Sequence, residues 1–132
     1  MVPVRAPERL DGLRVVATPD ALDHAYFTGD VIVLRIAADE VFAIGAVHAE
    51  ITDQHAIIER ETAFVGWGLT IAEFATHIER HIEWALPTHR PALAQGLIAN
   101  LPLKLWFDHD RVLLISSSGL VHEVVERLGV PG

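Results

Sequence analysis

The sequence predicts an α+β fold, a mainly antiparallel sheet with two or three helices packed on one face. Three observations carry that expectation. Short β-branched or aromatic runs recur between polar turns, so hairpins outnumber crossovers. Thr70-Ile71-Ala72-Glu73 is a capping box, in which the threonine oxygen accepts a backbone N–H while the glutamate reaches back. Residues 90–128 read as one supersecondary unit of apolar run, aromatic strand, tight turn, second strand and helix.

The elements follow in order. Residues 1–10, with two prolines and no periodicity, read as a flexible lead-in, and 11–132 as one α+β domain. A first strand is expected over 13–17. Thr18 suits an N-cap and Pro19 the first helical position, so a helix is expected over 21–27 with Gly29 at its exit. Residues 31–36 and 41–46 form a hairpin about Ala37-Ala38-Asp39-Glu40, while 47–54 has no decisive pattern. Two more strands are expected over 56–59 and 63–69. In the second, Val65, Trp67 and Leu69 share one face, and Phe64, Gly66 and Gly68 the other. The capping box opens a helix over 71–84 with a stripe of Ile71, Phe74, Ala75, Ile78, Ile82 and Ala85, ended by Leu86-Pro87. The small-residue run over 90–99 counts as a strand. Strands over 103–107 and 111–115 follow, joined by Asp108-His109-Asp110, and Ser116-Ser117-Ser118 leads into a helix over 120–128. Gly129 and Pro131 stop that helix.

Composition narrows the function. The chain has 132 residues, 51% of them hydrophobic, which is rich for a monomer and implies that some apolar surface meets another chain. Charges interrupt every apolar run well short of a membrane span. The first residues lack the apolar core of a signal peptide, so cytoplasm is the expected location. There is no cysteine, hence neither disulfide nor thiolate chemistry. A net charge of −8, with Lys104 the single lysine, argues against nucleic acid.

The chemistry-bearing candidates each have a plain structural explanation beside them. Eight histidines occur. His77 and His81 at i, i+4 project from one side of a helix, as a zinc or other divalent-metal pair must, and Glu73 lies one turn earlier. The metalloprotease pattern would need a glutamate directly after the first histidine, where Ile78 stands. Two boundary histidines and an ordinary Glu73–His77 pair account for the same residues. Asp108-His109-Asp110 is explained by turn chemistry, and His48, His55 and His89 fall near loops. No phosphate-cradling loop and no nucleophile elbow is present. Ser117 and Ser118 stand at a helix start, as caps or as an anion site. Trp67, Trp84 and Trp106 suit either core packing or the stacking of a flat pterin- or flavin-like ligand. No catalytic residue is assigned.

Three segments carry a family resemblance. They are Val33-Leu34-Arg35-Ile36-Ala37-Ala38-Asp39-Glu40-Val41-Phe42-Ala43-Ile44, then Ala63-Phe64-Val65-Gly66-Trp67-Gly68-Leu69, and then the order of elements from Pro91 to Leu128 with Ala94-Gln95 near its start. Over about residues 30–128 the chain resembles the gamma, small subunit of heterotetrameric sarcosine oxidase, which is itself similar to the folate-binding domain of the glycine-cleavage T protein. The chain is shorter than that subunit, and Leu69-Thr70-Ile71 stands where the family has Ser-Gly-Pro. The resemblance implies a non-catalytic accessory or interaction subunit. Its partner would be itself or a larger protein, such as a flavin- or folate-linked oxidoreductase that holds the cofactor.

Overall fold

The computed structural model describes residues 5–132, so part of the expected lead-in, residues 1–4, lies outside the described residues. The chain runs through β1 (Glu8–Arg9), β2 (Gly12–Val16), α1 (Pro19–Asp23), β3 (Tyr26–Phe27), β4 (Ile32–Ala37), β5 (Glu40–Ile44), β6 (Ala49–Glu50) and β7 (Ile57–Glu61). It continues through β8 (Phe64–Thr70), α2 (Ile71–His77), a 3-10 turn (Glu79–His81), β9 (Ala92–Ile98), β10 (Leu101–Phe107), β11 (Arg111–Ser117), a second 3-10 turn (Ser118–Leu120) and α3 (Val121–Leu128). Every strand pairing is antiparallel. The fold class is therefore α+β, with the strands shared among separate sheets. The chain divides into two compact units, residues 10–63, and the residues up to 9 together with 64–132.

The unit of residues 10–63 is a four-stranded sheet in the order β4-β5-β2-β7, accompanied by the small pair β3-β6. Leu13 and Val15 of β2 lie beside Val41 and Ala43 of β5, and this row joins Ala21, Leu22 and Phe27 in one core. Alternation along the strands dictates that row, since i and i+2 share a face. Gly12 is required where β2 meets β5, because a Cβ there would lie 2.1 Å from the Ala43 carbonyl oxygen. Thr18 caps α1 as the sequence predicts, accepting the Ala21 N–H at 3.3 Å. The helix is shorter than expected. It begins at Pro19 and stops at Asp23 with His24 as C-cap, and Tyr26–Phe27 pairs with β6 instead. The alternation of exposed Tyr26 with buried Phe27 is a strand signal that outweighs the helical reading of 21–27.

The second unit is a five-stranded sheet in the order β1-β8-β11-β10-β9. Residues 8–9 of the lead-in form its outer strand, with Glu8 opposite Gly66. Val65, Trp67 and Leu69 are buried on one face, as expected, and share their core with Leu105, Leu114, Phe74, Ile78, Val124 and Leu128. The capping box is complete: the Glu73 N–H donates to Thr70 Oγ1 at 3.1 Å and the Thr70 N–H to Glu73 Oε1 at 2.8 Å.

The expected helix over 71–84 needs correction. It ends at His77; Ile78 is the C-cap and the chain is extended again at Ile82. Beyond the cap the apolar residues Ile82, Trp84 and Leu86 alternate with Glu83 and Ala85, and all three pack on the core. That period of two belongs to extended chain. Of the expected stripe, Phe74 and Ile78 are buried and Ile82 is half-buried, whereas Ile71, Ala75 and Ala85 are exposed. The β9–β10 connection turns on Ala99 and Asn100, both with positive φ (50° and 64°). The strand expected over 103–107 therefore begins two residues earlier. At the other end, Gly129 closes α3 in the left-handed conformation (φ 72°), with its N–H on the Val125 carbonyl.

Candidate functional site

Each of the three tryptophans has a distinct environment. Trp67 is fully buried, and its Nε1 donates to the Pro131 carbonyl at 2.7 Å, which fastens the chain beyond α3 to the core. Trp84 is half-buried. Its Nε1 donates to the Leu97 carbonyl of β9 at 3.0 Å, and its ring lies against Gly96. Trp106 is half-buried on the other face of the sheet, opposite Leu93 and Leu113. Neighbouring it on β10 and β9, the Lys104 ammonium donates to Gln95 Oε1 at 2.8 Å and lies 5.8 Å from the Phe64 ring centre. Strand parity puts Trp67 and Trp106 on opposite faces of one sheet, so the three indoles do not line one stacking pocket.

The serines differ from expectation. Ser117 occupies the N-cap position of the 3-10 turn without a side-chain capping bond, and Leu120, the cap of α3, has none either. Ser116 is buried, and its hydroxyl donates to the Ser117 carbonyl at 2.7 Å. The chain enters α3 through a tight 3-10 turn, which takes the place of the side-chain cap.

Glu73, His77 and His81 do not share a helical face, because α2 stops at His77. The Glu73 carboxylate is buried and serves the helix N-terminus. His77 stands in the last turn of α2 near Gly129, and His81 Nε2 accepts from Arg80 Nε at 3.3 Å. Among the described residues no group of three or more histidine, aspartate or glutamate side chains is placed to hold a metal ion.

Two adjacent exposed isoleucines lie on β7, an edge of the four-stranded sheet. Ile57 and Ile58 are 48% and 46% exposed, although as neighbours they point to opposite faces. Glu59 shares a face with Ile57. It sits 3.5 Å from Arg14 Nη1, while Arg14 Nε donates to Glu40 at 3.1 Å. Glu40, with Glu59 and Glu61 adding smaller attractions, holds the Arg14 guanidinium further above its ordinary value. Glu40 and Glu59 thus share one cation as ion-pair partners. The sequence signal for this edge was the pair Ile57-Ile58 followed by alternating charge, which marks a strand with neither face covered.

The molecule is an α+β protein of two antiparallel-sheet units in which Trp67, Trp84 and the buried Glu73 carboxylate hydrogen-bond to the protein's own main chain. No family model matches the chain, and no curated protein matches it. Among solved structures, the chain is similar to a chain of the heterotetrameric sarcosine oxidase from Corynebacterium sp. U-96 in complex with pyrrole 2-carboxylate. The TM-score is 0.58 at 13% identity, over 96% of this chain and 84% of that one. At that identity the likeness is one of fold, and it agrees with the resemblance read from the order of elements. Among the described residues no helix is long and apolar enough to cross a membrane.

Proposed function

We propose that this chain is a small, non-catalytic accessory subunit that assembles with a larger cytoplasmic protein. The partner would be of the flavin- or folate-linked oxidoreductase kind that the sequence resemblance implies. One observation carries the reading: the likeness in fold extends over nearly the whole of this chain and most of a subunit of a heterotetrameric oxidase. The commitments of the polar and aromatic side chains support it. Trp67 ties down Pro131, Trp84 covers β9, and Glu73 caps α2, so these groups stabilise a scaffold. The apolar side chains of an open sheet edge suit contact with another protein.

Light scattering on the isolated chain tests the proposal. The expected result is concentration-dependent association, or loss of protein during handling that co-expression with the partner prevents. A monomer that stays monodisperse from micromolar to millimolar concentration, alone, would count against it.

A further inference from the structure

The two larger sheets have four edge strands, and three are blunted. β1 has two residues, β4 carries a register shift between Arg35 and Ala37, and β9 is capped by the Trp84 indole on its Leu97 carbonyl. Short edges, bulges and covering groups are the usual means of preventing edge-to-edge pairing. β7 keeps an unbroken register against β2 from Ile57 to Glu61, as β9 does against β10, and no proline interrupts it; what separates the two is the Trp84 indole on β9. The two isoleucines of β7 are about half exposed.

Charge selects the occupant. Residues 10–63 hold ten of the acidic side chains and three of the basic ones, a net −7 of the chain's −8. β7 itself carries Glu59, Arg60 and Glu61; Glu59 and Glu61 lie on the face of Arg14 of β2, which also pairs with Glu40 of β5, and Arg60 lies on the other face. Self-pairing is disfavoured, because the antiparallel register that overlaps all five residues sets Glu59 against Glu59. Resting on the subunit reading above, we infer that β7 is a strand-addition edge. Its occupant is an extended segment of the partner protein with basic side chains on the face of Glu59 and Glu61 and apolar ones on the face of Ile58. Main-chain hydrogen bonds supply affinity in this mode, and alternate side chains supply selectivity.

Hydrogen exchange measured by mass spectrometry tests the inference on the full chain. The probes are end-blocked peptides of alternating valine and lysine, or of alternating valine and glutamate. The basic peptide is expected to slow exchange of the 57–61 amides by about tenfold or more, as burial of an open edge does. The acidic peptide should leave them unchanged, and Ile58→Glu, with its melting temperature retained, should abolish the slowing. Equal effects of both peptides, or none, would overturn the inference. So would slowing that grows with the concentration of the chain alone, which would mean self-pairing. The same measurement on the assembly purified from the host separates the two claims. An assembly in which 57–61 exchange freely overturns strand addition and leaves the subunit reading standing. A chain recovered without a partner overturns the subunit reading, and strand addition to a partner falls with it.

Discussion

If Trp84 is committed to covering β9, adding one methyl group at Gly96 should dislodge it. A Cβ on Gly96 would lie 2.8 Å from Trp84 Cε2 and 3.0 Å from its Nε1, too close for the ring to stay. The indole is the movable party, so Gly96→Ala forfeits the 3.0 Å bond to the Leu97 carbonyl and part of the ring's packing. The bond contributes about 0.5–1.5 kcal/mol. With the packing, overfilling of this kind costs about 1–3 kcal/mol. In a Trp84→Ala background no clash remains, and Gly96→Ala should be neutral or gain about 0.5 kcal/mol from the lost flexibility of glycine. A double-mutant cycle by urea denaturation should therefore give a coupling of at least about 1 kcal/mol. The Trp84 indole N–H resonance should also lose its exchange protection in Gly96→Ala. A cost below about 0.5 kcal/mol that is unchanged in Trp84→Ala would refute this role.

Three further outcomes are expected. Thr70→Ala breaks the capping box and should cost about 1 kcal/mol by denaturant melt, with Thr70→Ser retaining most of the stability. Ala99→Gly relieves a left-handed alanine and should stabilise by about 0.5–1 kcal/mol; equal or lower stability would contradict the turn geometry. The third concerns pH. The His55 backbone N–H, then that of Thr18, hold the Asp53 carboxyl below its usual range, so its contribution is complete above about pH 3.9 and is lost as pH falls through the lowered value. His24, raised by its hydrogen bond to the Asp20 carbonyl and by the Asp20 charge, acts in the opposite sense. Its contribution is complete below about pH 6.5 and lost as pH rises through the raised value. Asp53→Asn should flatten the acid limb and His24→Gln the neutral one in melts followed across pH.

The parts of this fold legible in the sequence are those written in local periodicity and local capping. The face of Val65, Trp67 and Leu69 follows from alternation, the Thr70–Glu73 box from residue spacing, and the Gly129 stop from its lack of a Cβ. The misreadings arose where tertiary contact decided the conformation. Ile82 and Ala85 fit a helix as well as a strand, and the choice was made by Trp84 settling on Gly96, a dozen residues along the chain. The Ala99-Asn100 turn carries none of the usual Asn-Gly signal, so β10 began earlier than its aromatic residues suggested. The metal reading of Glu73, His77 and His81 depended on an uninterrupted helix and weakened with it. The β7 edge was half legible: Ile57-Ile58 read as a strand, but its position at the end of a sheet depends on strand order.

Work as a subunit of a larger assembly requires that the chain be held there in its own host. Native mass spectrometry of the tagged chain, purified gently from its own host, tests it most directly. The expected result is a heteromer in which this 14.5 kDa chain accompanies a larger chain in fixed stoichiometry. A single species at 14.5 kDa, stable and without a partner, would contradict it.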